Sequence, residues 1–346
     1  MNAPATLTAR PLRQPKDYAS DQEVRWCPGC GDYAILKAVQ KTLADVQSDP
    51  ATTVFVSGIG CAARFPYYLT TYGFHGIHGR APAIATGIKL ANPELDVWVV
   101  GGDGDLLSIG GNHLIHALRR NVDLTILLFN NEIYGLTKGQ ASPTSRIGTR
   151  SPSTPSGSID RPLSALKLAL GAGARFVARG IDTQQKLLPE ILKRAHLHKG
   201  AALVEILQNC IVYNDAVFAE FTDRAVEAER QVHVRHGEPL LFGKERDRGL
   251  RLKPGRLELE AVEVGEGGVP LEDVLVHDER DPTLAMLLAN MEPPELPVAI
   301  GVLHDDPAPD TWERAVHANA AAEAAAQPAQ SLNALLRKGA TWTMAG

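Results

Sequence analysis

Between Thr52 and Leu207 the chain alternates short, β-branched apolar runs with stretches of helical periodicity, and nothing else in it constrains the fold as much. The runs are Thr52-Thr53-Val54-Phe55-Val56, Val97-Trp98-Val99-Val100, Leu124 to Phe129, Arg175-Phe176-Val177-Ala178 and Ala202-Leu203-Val204-Glu205-Ile206-Leu207. A helix from Asp32 carries Ile35, Ala38, Val39 and Leu43 on one face, with Asp32 read as its N-cap. Further helical stretches follow His78-Gly79-Arg80, where Ala83, Ile84, Gly87 and Ile88 form a small, apolar stripe, and span Asn112 to Arg120, Leu163 to Leu170 and about 184–196. Continuously apolar strands need cover on both faces, and strands joined through helices run parallel. The pattern predicts an α/β fold with a doubly wound, mostly parallel sheet.

Composition bounds the rest. At 346 residues, 44% hydrophobic and 22% charged, the chain reads as a soluble globular protein. A net charge of −5 offers no basic excess to displace counterions, which argues against nucleic acid. No apolar stretch approaches the roughly 20 residues that span a bilayer. Residues 1–22 are polar and Pro-rich, lack the apolar core of a signal peptide and read as a flexible arm, which makes the cytoplasm the expected location. Residues 23–221 form the expected ligand-binding domain and 222–346 a C-terminal extension contacting another subunit. Between the two halves of the domain, Gly139 to Pro162 is dense in Ser, Thr, Pro and Gly; a connection this long is functional or mobile. The extension contains a run with six Lys/Arg between Gly243 and Arg256, and an Ala-rich run from Ala315 to Ala329.

In parallel sheets ligands bind beyond the carboxyl ends of the strands. One strand runs into Gly101-Gly102-Asp103-Gly104-Asp105 and the next into Asn130-Asn131. The glycines admit a phosphate close to the backbone. Asp103 offers a hard carboxylate oxygen, Asn131 a neutral one and a downstream carbonyl a third, a set suited to octahedral Mg²⁺ with diphosphate and water. A Gly-Asp-Gly turn alone is compatible with a mere turn; the Asn pair, 28 residues beyond Asp103, favours the ligand reading.

Four cysteines stand at Cys27, Cys30, Cys61 and Cys210. Cys61 and Cys210 each follow a strand end, on the sheet edge that also carries Asp103 and Asn131. The Cys27/Cys30 pair precedes the first helix, whose N-terminal amides are expected to favour thiolates. Residue rules leave zinc, an iron–sulfur cluster, structural thiols and disulfides all open.

The spacing of Gly102-Asp103-Gly104 and Asn130-Asn131 resembles the thiamine diphosphate signature. Trp26-Cys27-Pro28-Gly29-Cys30-Gly31, Ser57-Gly58-Ile59-Gly60-Cys61, Ile77-His78-Gly79-Arg80, Gly102-Asp103-Gly104-Asp105 and Tyr134-Gly135-Leu136-Thr137-Lys138-Gly139-Gln140 follow one another in order. Over roughly residues 23–221 this set resembles the β subunit of 2-oxoacid:ferredoxin oxidoreductases, and His-Gly-Arg with the long extension resembles the 2-oxoglutarate type. The resemblance implies a thiamine diphosphate-binding fold of the diphosphate-domain type, with Mg²⁺ on Asp103, Asn131 and the Ile133 carbonyl. It implies cofactor contacts at Ile59, Gly60, Cys61, Ala62, His78, Gly104, Asp105, Gly135 and Leu136, and one [4Fe–4S] cluster on Cys27, Cys30, Cys61 and Cys210. The implied reaction is oxidative decarboxylation of a 2-oxoacid (2-oxoglutarate to succinyl-CoA) with coenzyme A, electrons leaving to ferredoxin. No catalytic residue is assignable here; the ylid-forming glutamate is expected on an α subunit, so this chain alone is expected to be inactive.

Other readings remain: a non-redox thiamine diphosphate decarboxylase or synthase subunit with a structural metal, a pyruvate-specific relative, or a non-catalytic partner on the same fold. His113 and His116 read as a packed or solvent-facing pair, although His113 lies within reach of the cofactor turn. Lys138 reads equally as a binder of the substrate carboxylate or a surface lysine. The basic run Lys244 to Arg256 reads as a solvated loop before a dock for acidic ferredoxin.

Overall fold

The computed structural model describes residues 12–307, 310–326, 331–339, 341–342 and 344. Helix α1 (Asp32–Asp45) leads to β1 (Thr53–Ser57) and β2 (Tyr72–His75), then α2 (Ala81–Ala91) and β3 (Asp96–Gly102). Helices α3 (Asp103–Leu107) and α4 (Gly111–Arg120) precede β4 (Leu124–Asn130) and the small hairpin of β5 (Ile133–Tyr134) and β6 (Gln140–Ala141). Next come α5 (Ala165–Gly171), β7 (Phe176–Ile181), α6 (Leu187–Leu197) and β8 (Ala201–Leu207). The remaining chain contributes α7 (Ala219–Thr222), α8 (Glu227–Arg230), β9 (Gln231–Val234), a small sheet of β10 (Leu241–Phe242), β11 (Arg248–Leu252) and β12 (Leu259–Glu263), then α9 (Pro282–Ala289), β13 (Val298–Asp305), α10 (Trp312–Ala326) and α11 (Leu332–Leu336).

Eight strands form one sheet in the order β2-β1-β3-β4-β8-β7-β13-β9. The first six run parallel; β13 pairs antiparallel with β7, and β9 runs parallel to β13. Side chains leave alternate faces of each strand, which sorts the apolar runs into two cores. Val97, Val99, Leu124, Ile126 and Leu128 join one core, covered by α2, α4, α5 and α9. Trp98, Val100, Leu127 and Phe129 join the other, covered by α1 and α6. Each such side chain contributes about 1.5–3 kcal/mol by leaving water, which is why these runs settle at the centre of the sheet. The fold is the doubly wound, mostly parallel α/β sheet that the alternation predicts.

Three expectations need correction. The described part of the N-terminal arm, residues 12–22, is anchored at Tyr18, which is fully buried and whose hydroxyl donates to the Ser48 carbonyl at 2.7 Å. Residues 1–11 of the arm lie outside the described residues. The boundary expected at residue 221 falls within one sheet, because β9 and β13 from the extension complete it. β9 is only four residues long, and both strands lie beyond the region where strands and helices alternate. Asp32 does not cap α1 but forms its first turn after Gly31. The Ala-rich run is helical as far as Ala326; the last three of its residues lie outside the described residues. Among the described residues no helix is long and apolar enough to cross a membrane.

Candidate active site

The strand order reverses between β1 and β3, which opens a crevice beyond their carboxyl ends. A cavity there is lined by Ile59, Gly60, Cys61 and Ala62 after β1, by His78, by Asp103, Gly104 and Asp105 after β3, and by Asn131, Ile133, Gly135 and Leu136 after β4. The structure thus brings together all of the diphosphate and Mg²⁺ residues expected from the sequence.

Asp103 is buried, and its Oδ2 accepts from the Ser142 and Thr144 hydroxyls, both at 2.5 Å. Burial pushes the Asp103 carboxyl up to about 6, against the pull of those hydroxyls. The Thr144 hydroxyl oxygen also lies 2.9 Å from Asn130 Oδ1, placing the long Gly139–Pro162 connection against β4. Asn131 Oδ1 accepts from the Ile133 N–H at 3.2 Å. Gly104 is required by close approach: a methyl group there would meet Tyr134 Cε1 at 2.2 Å, and the Tyr134 hydroxyl donates to the Gly104 carbonyl at 3.0 Å. Asp105 pins two turns, its Oδ1 accepting from the Ile59 and Gly79 N–H groups at 3.1 and 2.8 Å. His78 Nε2 lies 3.3 Å from the same oxygen without hydrogen-bond alignment, and Asp105 Oδ2 stays buried with no partner.

The four cysteines are free thiols that line a second cavity of about 210 Å³, together with Arg25, Trp26, Arg64, Gln208 and Tyr213. Cys61, Asn131, Gly135 and Leu136 line both cavities, so the two share a wall. The main chain joins the sulfur-bearing loops: Gly31 N–H donates to the Asn209 carbonyl at 3.2 Å, next to Cys210. A methyl group built on Gly135 would touch Cys210 Sγ at 3.5 Å and Cys61 Sγ at 3.7 Å, ordinary contacts that place this glycine beside two of the sulfurs. Among the described residues, no three His, Cys, Asp or Glu side chains converge as they would around one metal ion. The four thiols instead line one cavity, a donor set that could hold a metal–sulfur group.

Burial, reinforced by the Asp32 carboxylate, raises the Cys30 thiol and pushes Cys61 up to about 12. The expected thiolate stabilisation by α1 is corrected accordingly. The Asp32 N–H does act on Cys30 in that direction, but desolvation outweighs it. Iron or another metal must therefore displace protons to bind there.

Sequence reasoning missed Asp32, Ser142, Thr144, Tyr134 and Gln208. Asp32 is buried in the wall of the first cavity with Oδ2 unpartnered, and burial pushes it up to about 7. The Ser142 and Thr144 hydroxyls had one usable signal, the polar density of their connection. Arg80 pairs with His113, which does not line the cavity, and His116 is exposed. Lys138 is exposed, with φ of +77°. In the basic run, Arg248, Arg251, Lys253 and Arg256 pair with Glu229, Glu260 and Glu258.

Residues 58–206 match the family described as "Thiamine pyrophosphate enzyme, C-terminal TPP binding domain", a span holding the whole diphosphate cavity except Asp32. A Mycobacterium tuberculosis protein named 2-oxoglutarate oxidoreductase subunit KorB is 49% identical over 348 residues, covering 99% of this chain and 91% of the relative. The β subunit of 2-oxoacid:ferredoxin oxidoreductase 1 from Aeropyrum pernix is 52% identical over 205 residues, 59% of this chain and 64% of its own. A solved 2-oxoglutarate:ferredoxin oxidoreductase from Magnetococcus marinus, with 2-oxoglutarate, coenzyme A and succinyl-CoA bound, superposes with a TM-score of 0.74 at 34% identity, covering 94% of this chain and 95% of that one. On its sheet order, its paired cavities and these likenesses, the chain belongs to the β subunits of the 2-oxoacid:ferredoxin oxidoreductases, a family of oxidoreductases.

Proposed function

We propose that this chain is the β half of a coenzyme A-dependent enzyme that oxidatively decarboxylates 2-oxoglutarate to succinyl-CoA and passes the electrons to ferredoxin. The observation that carries this reading is the wall shared by the Asp103–Asn131 cavity and the four-thiol cavity. When bound, thiamine diphosphate supplies the electron sink for decarboxylation, and a [4Fe–4S] cluster supplies a one-electron relay. Asp103, Asn131 and the Ile133 carbonyl hold Mg²⁺; Ser142 and Thr144 aim the Asp103 carboxylate. Ile59, Gly60, Cys61, Ala62, His78, Gly104, Asp105, Gly135 and Leu136 form the wall against the cofactor. Cys27, Cys30, Cys61 and Cys210 hold the cluster, and exposed Cys27 marks the side nearest solvent.

The relatives named for 2-oxoglutarate support that substrate. An α subunit supplies the glutamate that activates the cofactor, and residues 222–346 contribute to subunit contact. The site of action is the cytoplasm. The test is co-expression with the α partner, followed by 2-oxoacid- and coenzyme A-dependent reduction of a viologen, with iron and sulfide analysis. A brown complex bleached by dithionite and active on 2-oxoglutarate is expected. A colourless, zinc-containing complex overturns the redox reading. A rate with pyruvate about tenfold above that with 2-oxoglutarate overturns the substrate.

A further inference from the structure

One buried side chain touches both halves of the site. Gln208 follows β8, and the β4–β8 register pairs Asn130 with Leu207, so Asn131 and Gln208 lie side by side at the next step. Gln208 N–H donates to the Asn130 carbonyl at 2.8 Å, which extends the ladder by one rung. Its side chain is 1% exposed, and all three of its amide contacts fall within the site. Nε2 donates to the Asn209 carbonyl at 2.6 Å and to Cys30 Sγ at 3.3 Å. Oε1 accepts from Asn131 Nδ2 at 2.7 Å.

Main-chain partners determine which way both amides face. The Asn209 carbonyl accepts only from an N–H, so Nε2 of Gln208 must face it and Cys30. The Ile133 N–H needs an acceptor, so Oδ1 of Asn131 must face it, and Nδ2 must face Gln208. Reversing either amide would break a main-chain bond and set two like groups against each other, each then costing about 1–3 kcal/mol as a buried unpaired group.

We propose that Gln208 is a positioning residue that acts on both cofactors: it holds the Asn131 carbonyl oxygen toward the metal and donates an N–H to the Cys30 sulfur. This rests on the functional reading above. Orienting partners of metal ligands alter affinity by about 10–100-fold when removed. Hydrogen bonds to cluster sulfurs stabilise the reduced, more negative state and so raise the reduction potential. Through one side chain the Asn131 amide and the Cys30 sulfur are held in a fixed relation.

The test compares Gln208→Met, Gln208→Leu and Gln208→Glu with wild type in the assembled αβ complex. Cluster potential is read by an EPR-monitored redox titration. Thiamine diphosphate affinity at fixed Mg²⁺ is read by fluorescence quenching. The Met and Leu variants, which lose both contacts, should lower the potential and weaken thiamine diphosphate binding about tenfold. Gln208→Glu keeps an acceptor for Asn131 but loses the N–H groups to Cys30 and to the Asn209 carbonyl. It should lower the potential while binding thiamine diphosphate more tightly than the Met and Leu variants do. Should the Leu variant not assemble, the Met variant decides, being unbranched and of similar length. Unchanged potential and affinity in Gln208→Met, with wild type loading both cofactors, overturn this inference alone. A wild-type complex without a cluster overturns the functional reading beneath it.

Discussion

The rim beyond β1, β3 and β4 and the antiparallel margin of β13 and β9 belong to one sheet, yet they treat carboxylates in opposite ways. At the rim, burial pushes Asp103 up to about 6, and Asp32 and the neighbouring Glu132 up to about 7. Asp32 and Asp105 each keep a buried oxygen without a partner. At the margin, Asp305 accepts from His198 Nδ1 at 2.9 Å and Arg194 at 2.8 Å, and these partners hold its carboxyl below the usual range despite burial. Arg194 also reaches Glu279 at 2.9 Å. The margin pairs the Asp305 carboxylate with two basic side chains, although Glu279 Oε2 and His198 Nε2 there are buried without partners. The rim instead keeps Asp103 and Asp32 without a cationic partner, and burial raises them; a bound cation would favour their charged form.

That contrast is open to test at four points. The largest effect is expected from Asp103→Asn: a fall of about 100-fold or more in 2-oxoacid-dependent activity of the αβ complex, with the thermal midpoint of the cofactor-free protein no lower than wild type. A large loss of stability would show the rim to be structural and break the comparison. At the margin, Gly301 has φ of +127°, and a methyl group there would meet the Val234 carbonyl at 2.7 Å. Gly301→Ala should therefore cost about 2–4 kcal/mol in urea unfolding, with turnover per folded complex retained. Asp305→Ala should cost about 1–3 kcal/mol by the same measure, because it strands a buried histidine nitrogen.

The pH dependence should separate the regions with opposite signs. Asp103 and Asp32 keep their protons in the folded state above their unfolded value near 4. The cofactor-free protein should therefore lose stability as pH rises from about 4 through 6–7, the folded values of these two groups. Asp103→Asn should flatten that slope. Asp305, with its folded value depressed, contributes stability fully present above about pH 4 and lost as pH falls below it; Asp305→Ala should blunt only this acid limb. A profile rising steadily from pH 4 to 7 would contradict the rim assignment. The smallest effect is expected from Gly135→Ala, whose methyl group makes only ordinary contacts with two sulfurs. Unfolding should shift by under about 1 kcal/mol, while iron content of the purified complex falls.

The legibility of these regions in the sequence follows from how local their signals are. Asp103, Asn131 and Cys61 stand immediately after apolar runs, so strand recognition alone put them on one edge. The Ser142 and Thr144 hydroxyls come from a connection without periodicity, and only the folded chain lays them on Asp103. Asp32 occupies a position where a capping residue is common, and burial rather than spacing decided its surroundings. Gln208 looked like one polar residue ahead of Cys210; the β4–β8 register set it against Asn131.

By itself, then, the amino-acid sequence determined the alternation of strands and helices, the order of the ligand-bearing turns and the four thiols, because periodicity and spacing are properties of neighbouring residues. Tertiary structure alone decided that β9 and β13 complete the sheet, that two cavities share Cys61, Asn131, Gly135 and Leu136, and that one amide spans them. Those outcomes depend on strand register and burial between residues far apart in the chain, such as Cys30 and Gln208, 178 positions apart. No local pattern encodes such distances; packing against a common core sets them.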